Sequence, residues 1–181
     1  STRQLFFQSR MGNLPKRVVI HKRTPFRSEE KMGLLQGLSG VGNIDMLEIT
    51  VEPDIKFVVS IMKDSNLEAD SFPIRRGTIV VLDERRALLW AHGTTPAVRA
   101  DRKYYLGKRR IPTPLLITRH YGSASLTILA REILGLSKMN WNNFDMYSKL
   151  PATIDSSNAI ARIGSLLERY GTALHDYRLF M

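Results

Sequence analysis

The sequence predicts a mixed α/β fold, and three observations carry that expectation. Short runs of apolar and β-branched residues, each about the length of a strand, recur through most of the chain. Two amphipathic segments with apolar residues at helical spacing follow near the C-terminal end. No internal repeat or low-complexity tract divides the 181 residues, which therefore read as one domain or a piece of one.

Taken in order, residues 1–11 (STRQLFFQSRM) read as the last turns of a helix that stops at Gly12. Arg17 to His21 (RVVIH) has the character of a buried strand. A helix is expected from about Ser28, where Ser28, Glu29 and Glu30 supply a capping hydroxyl and favourable charge, and it fades between Gly37 and Gly42. Ile44 to Val51 and Lys56 to Ile61 alternate, which predicts two more strands, whereas Lys63 to Pro73 is polar and reads as a loop. Gly77 to Leu82 and Ala87 to His92 flank Asp83-Glu84-Arg85-Arg86, the pattern of a hairpin with a four-residue turn. The apolar part of PTPLLITRH predicts another strand. A helix follows over about Ser123 to Met139, with Leu126, Leu129, Ala130, Ile133 and Leu134 on one face. The last helix is expected over Asp155 to Tyr170, with Asp155-Ser156-Ser157-Asn158 as its capping cluster and Ile160, Ile163, Leu166 and Leu167 on its apolar face.

Composition narrows the functional classes. Hydrophobic residues make up 43% of the chain and charged residues 24%, a globular balance. The absence of cysteine excludes disulfides and thiolate metal sites. No apolar run approaches the ~18 residues a membrane span needs, and no secretory signal opens the chain. A soluble, cytoplasmic protein is expected. The net charge of +10 makes nucleic acid the leading polyanionic partner. Seven cations, Arg99, Arg102, Lys103, Lys108, Arg109, Arg110 and Arg119, face one acid, Asp101, within a short stretch. Asp45, Glu48, Glu52 and Asp54 are near one another in sequence, but Asp45 and Glu48 point to opposite faces of a strand and do not converge on a metal. They read as solvated strand charges, and Asp83 and Glu84 as turn residues. His21 and His92 have no second ligand at metal spacing and read as structural.

Three blocks carry a family resemblance. They are LPKRVVIHKRTPFRSEE (Leu14 to Glu30), GKRRIPTPLLITRHYG (Gly107 to Gly122), and SKMNWNNFDMYSKLPATIDSSNAIARIGSLLERYG (Ser137 to Gly171), the last closed by DYRLFM. In this order they resemble the C-terminal part of the PIWI domain of Argonaute proteins, most closely the prokaryotic ones. The third block is the specific one, with Trp141-Asn142-Asn143-Phe144, then Leu150-Pro151-Ala152, then a final helix. The resemblance implies an RNase H-like fold, a mixed sheet flanked by helices, here without its first strands. It also implies an open sheet edge that those strands would cover, and with it oligomerisation or poor solubility unless something pairs there.

The family's nuclease site combines an Asp, a Glu, a second Asp, and a His or Asp. By this resemblance the first two would precede the chain, Lys22 or Arg23 stands at the second Asp, and Asn158 stands at the fourth position. Two-metal cleavage needs anionic oxygen ligands, so a catalytically inactive PIWI domain is expected. The alternative is an active guide-directed endonuclease whose missing acids come from an upstream segment or a partner. An unrelated RNase H-like or basic interaction domain is a third reading, against which the WNNF-to-LPAT block argues.

The resemblance further places Arg110, Lys149 and Arg162, with Tyr147, at guide phosphates. Arg162 equally suits an ion pair with Asp155 or Glu168, and Trp141 and Phe144 suit either base stacking or packing between helices. The chain ends in Leu179-Phe180-Met181, similar to an inward-turned apolar terminus. Its carboxylate at Met181 would hold Mg²⁺ or Mn²⁺ at the guide 5′-phosphate. The implied partners are a short guide RNA or DNA, its complementary target, the remaining Argonaute segments (the MID domain and the first part of PIWI), and an effector protein in prokaryotic defence, with no membrane.

Overall fold

The computed structural model describes residues 13–96, 111–139 and 149–167. Seven strands and three helices run in the order β1 (Arg17–Lys22), α1 (Ser28–Gly37), β2 (Asn43–Val51), β3 (Ser60–Lys63), β4 (Asn66–Ala69), β5 (Ile79–Val81), β6 (Arg86–Leu89), β7 (Leu115–Tyr121), α2 (Leu126–Leu136) and α3 (Ala152–Leu167). Five strands form one mixed sheet in the order β1-β2-β7-β6-β5, and β3 and β4 pair separately. β1 and β2 are parallel, as a crossover through α1 requires, and the remaining pairs are antiparallel. β1 is an edge strand, with no strand on its second side among the described residues.

Alternation along the strands sorts side chains onto two faces. Leu47 and Ile49 of β2, Leu115 and Ile117 of β7, and Ala87 and Leu89 of β6 face Leu126, Leu129, Ala130 and Ile133 of α2 and Ile154 of α3, all buried. The spacing of the α2 residues puts them on one stripe, which is why that helix lies flat on the sheet. On the opposite face Ile74, Leu88 and Trp90 form a smaller cluster with Val59 and Leu116. β7 carries one extra residue at its end, because Leu47 pairs with Arg119 while Met46 pairs with Tyr121. His120 is the extra residue, and its Nε2 lies 2.8 Å from the Glu48 carboxylate.

The helix ends follow their local chemistry. Ser125 caps α2, its hydroxyl accepting the Ile128 amide at 3.3 Å. At the other end, the Ser137 hydroxyl donates to the Leu134 carbonyl at 2.7 Å and accepts from Arg76 at 2.9 Å. A cation beneath the C-terminus of α2 suits the helix dipole. α1 is capped differently from expectation. Arg27 is its N-cap, and the Glu30 carboxylate reaches back to the Arg27 amide at 3.4 Å, so the Ser28 hydroxyl is not the capping group.

Three further expectations are corrected. α3 begins at Ala152, directly after Pro151, so Asp155 to Asn158 lie within the helix rather than ahead of it. Pro151 needs no amide partner at a helix start, and burial of Ala152 and Ile154 extends the helix backwards. The polar stretch after Lys63 is not all loop, because β4 forms within it. Asp64 and Ser65 both take positive φ, 47° and 68°, the backbone of a two-residue type I′ turn. The strand expected from Lys56 pairs only from Ser60 onwards. The remaining hairpin, β5 to β6, turns on Asp83, whose carboxylate accepts the Arg85 and Arg86 amides at 2.8 Å each. These bonds hold the Asp83 carboxyl below the ordinary range, the Arg85 amide contributing most.

Asp45 and Glu48 do point to opposite faces, but neither is a solvated charge. Asp45 is 2% exposed. Its Oδ2 accepts Arg17 Nε at 3.1 Å and its Oδ1 accepts the Ala124 amide at 3.2 Å. Arg17 also forks onto Glu132 of α2 at 2.5 and 3.1 Å, which pushes its guanidinium pKa up further. Gly122 lies against the same carboxylate at φ +105°, and a Cβ there would overlap Asp45 Oδ1 and the Ile44 carbonyl. We predict that Asp45→Ala costs about 1–3 kcal/mol by removing both bonds and leaving the Ala124 amide without its acceptor, while Arg17 keeps its fork onto Glu132. Gly122→Ala costs about 1–3 kcal/mol through backbone strain. Urea unfolding midpoints check both, and Asp45→Ala in the Gly122→Ala background is less than additive because the two share one site.

Candidate nucleic-acid interface

The part of the fold that can grip an anion lies where the segment before β7 meets the start of α3. Residues 111–114 are fixed from two sides. Trp90 Nε1 donates to the Pro112 carbonyl at 3.3 Å, and the Glu52 amide donates to the Pro114 carbonyl at 3.0 Å. Thr113 is thereby held in place, and its hydroxyl accepts a short hydrogen bond from Lys149 Nζ. Lys149 is half-buried, and burial pushes its ammonium below the ordinary lysine value. It has no carboxylate partner among the described residues. An ammonium that gives up water without gaining a counter-ion favours an anionic ligand.

Lys149 stands just before the first turn of α3, whose early amides have no intrahelical acceptor. The same turn is tied to the sheet. Thr153 Oγ1 lies 2.9 Å from His21 Nδ1, which brings the end of β1 against the start of α3. Burial lowers the His21 pKa, although Glu132 opposes that shift. The imidazole is thus held neutral, in keeping with a structural role.

The other expected residues are distributed as follows. Lys22 does not point into open solvent. Its Nζ is 2.5 Å from Glu30 Oε2, 3.4 Å from the Pro25 carbonyl and 5.3 Å from the centre of the Phe26 ring. The Lys22 contact in turn holds the Glu30 carboxyl below its ordinary value. Arg23 follows β1 and is exposed, Asn158 is half-buried in α3, and Arg162 is exposed on the same helix. Arg110, Tyr147 and Met181 lie outside the described residues, as do Trp141 and Phe144. Among the described residues no three His, Asp or Glu side chains converge where they could hold a metal ion. No described helix is long and apolar enough to cross a membrane. Sequence reasoning missed Thr113 as the partner of Lys149 and Thr153 as the partner of His21. The second bond had one available signal, a histidine closing a strand predicted to be buried.

This is an RNase H-like α/β fold, its mixed five-stranded sheet backed by helices as in the PIWI region of Argonautes. Among solved structures, the chain is similar to Clostridium butyricum Argonaute bound to a guide DNA (5′ deoxycytidine) and a 19-mer target DNA. The TM-score is 0.61 at 19% identity, over 87% of this chain and 19% of that one. It is also similar to Aa-Ago with externally bound siRNA, with a TM-score of 0.57 at 21% identity, over 94% of this chain and 21% of that one. The chain thus spans about a fifth of the length of these Argonautes. No protein-family model and no curated protein matches the sequence.

The neutral His21 makes a pH prediction. Its unfolded pKa is near the ordinary ~6.5 and its folded pKa is lower. Below about pH 6.5 the unfolded chain therefore binds more protons, and stability falls as pH drops from there towards the folded value. His21→Gln should flatten that part of the stability–pH curve while leaving stability above pH 7 less changed, as measured by urea unfolding across the range.

Proposed function

We propose that this chain is the nucleic-acid-gripping part of a catalytically inactive PIWI domain, which holds a short guide strand and its paired target. The observation that carries the reading is Lys149, a half-buried cation without a carboxylate partner among the described residues, bonded to Thr113 of the fixed 111–114 segment just before a helix start. The net charge of +10 supports a polyanionic ligand. The fold likeness supports the same ligand class, since one similar structure is an Argonaute bound to guide and target DNA and another carries siRNA. Lys149 would take a guide phosphate, and Arg162, Arg110 and Tyr147 are the further phosphate contacts the family resemblance proposes. The carboxylate of Met181 as a hard oxygen ligand for Mg²⁺ or Mn²⁺ at the guide 5′-phosphate belongs to the same proposal and rests on the sequence alone. Loss of cleavage rests on Lys22 or Arg23 and on Asn158, a cation and a neutral amide where anionic or imidazole ligands would be needed.

The test is binding of a short single strand with a 5′-phosphate against the same strand with a 5′-hydroxyl, with Mg²⁺ or Mn²⁺ and with chelator, at two salt concentrations. The expected result is tighter, metal-dependent binding of the 5′-phosphate and no metal-dependent cleavage of a paired target. Lys149→Ala should weaken binding about tenfold, the loss of one charge-assisted hydrogen bond. It should also reduce the slope of log affinity against log salt by about 0.7. Equal binding of both strands would remove end recognition from the proposal, and cleavage would remove inactivity.

A further inference from the structure

One part of the molecule has the opposite charge from the rest. Between Glu52 and Asp70 five acids (Glu52, Asp54, Asp64, Glu68 and Asp70) stand against two lysines (Lys56 and Lys63). That is net −3, so the remainder of a chain of net +10 carries +13. This acidic stretch contains the β3–β4 hairpin, in which every strand residue is exposed. Its pairing puts Met62 directly opposite Leu67, and alternation places Ser60 and Ala69 on the same face. Met62 is 70% exposed and Leu67 71%, high values for large apolar side chains in a regular element.

The hairpin is nevertheless well built. Its turn is of the type that matches strand twist, and its ladder extends past the strands through Asp70 N to the Val59 carbonyl at 2.7 Å. At its base Val59 packs on the Ile74–Leu88–Trp90 cluster, and the Phe57 ring meets Trp90 edge-on at 6.0 Å. A two-stranded hairpin alone is marginal in water, so an ordered arm with a wet apolar face is half of a larger arrangement. Both outer edges are unpaired among the described residues. The edges differ, however. β3 carries Lys63, a residue that guards edges against pairing, whereas β4 has neither lysine nor proline.

We propose that the outer edge of β4 is a docking site for a protein strand that alternates apolar and basic side chains. Added to Asn66–Ala69, such a strand would lay its apolar residues beside Met62 and Leu67 and its basic ones beside Glu68. Charge selects this occupant. The arm from Val59 to Asp70 carries Asp64, Glu68 and Asp70 against Lys63, net −2, with Lys63 Nζ 3.7 Å from Glu68 Oε2, and this charge repels a nucleic-acid backbone as well as a second hairpin of the same kind. The site is thus a protein-binding arm separate from the Lys149 region, and it stands or falls independently of guide binding.

The test uses a labelled synthetic peptide of alternating lysine and leucine, with a glutamate–leucine peptide as control, read by fluorescence anisotropy. The lysine–leucine peptide should bind the wild-type chain and the control should not. Binding should fall at least tenfold in Met62→Ser/Leu67→Ser and, separately, in Glu68→Lys, whose exposed positions leave thermal unfolding unchanged. Peptide affinity that is unchanged in both variants overturns the proposal. So does weakened binding of single-stranded DNA by the same variants, which would assign the arm to the nucleic-acid surface. Self-association in sedimentation that the variants abolish would instead make a second copy the occupant.

Discussion

The sheet depends on one carboxylate. Asp45 uses one oxygen for the Arg17 guanidinium and the other for the Ala124 amide, while Arg17 forks onto Glu132. Four elements meet there: β1, β2, the turn after β7 and α2. An almost fully buried acid would be costly if either oxygen were unpaired, so its two partners define a narrow set of geometries for the end of the sheet. Gly122 completes the arrangement, since any Cβ at that φ would occupy the space the carboxylate needs. Hydrophobic burial brings α2 onto the sheet, but it is non-directional. The ion-paired cluster sets where along the sheet the helix starts.

That anchor lies at one end of the sheet, and the candidate interface depends on the other. Arg17 and Lys22 open and close the same strand, so β1 links the buried carboxylate to the His21–Thr153 contact. α3 is therefore positioned twice, by Ile154 in the core and by its first turn against β1. Lys149, one residue before Leu150 and Pro151, inherits that position. Its hydroxyl partner, Thr113, is separately clamped by Trp90 and Glu52 through the neighbouring prolines. A phosphate-binding lysine gains from this arrangement, because a side chain already held in place loses less rotamer entropy on binding.

How much of this was legible in the sequence follows from how local each signal is. β1, β2, β7 and the β5–β6 hairpin were readable because apolar alternation and turn residues are short-range patterns, and α2 because its stripe is regular. The start of α3 was misplaced because Asp155-Ser156-Ser157-Asn158 has capping chemistry, yet burial of Ala152 and Ile154 outweighs it. β4 was missed because Asp64-Ser65 is a weak version of the Asn-Gly signal for a type I′ turn. The pairing of Asp45 with Arg17 spans 28 positions and that of Arg17 with Glu132 spans 115, and no local pattern encodes either. Lys149 was singled out by family resemblance. Thr113, 36 positions away, could not be found that way.

The same non-locality changes the argument about catalysis. As a sequence, Lys22-Arg23 reads as two cations at the position of a metal-binding acid, each repelling divalent ions. In the fold Lys22 is neutralised by Glu30 and turned onto Phe26, so the pair contributes little net field. The electrostatic case against metal binding at this strand end therefore falls on Arg23, exposed and without a carboxylate partner among the described residues. In the proposed reading, two ligand positions held by Arg23 and Asn158 are a stronger obstacle than one added charge, since a hard cation needs several anionic oxygens at once. Substituting Arg23 by an acid alone would not restore them. Under the proposed function the Asn158 position would need an anionic or imidazole ligand as well, and the binding role needs neither.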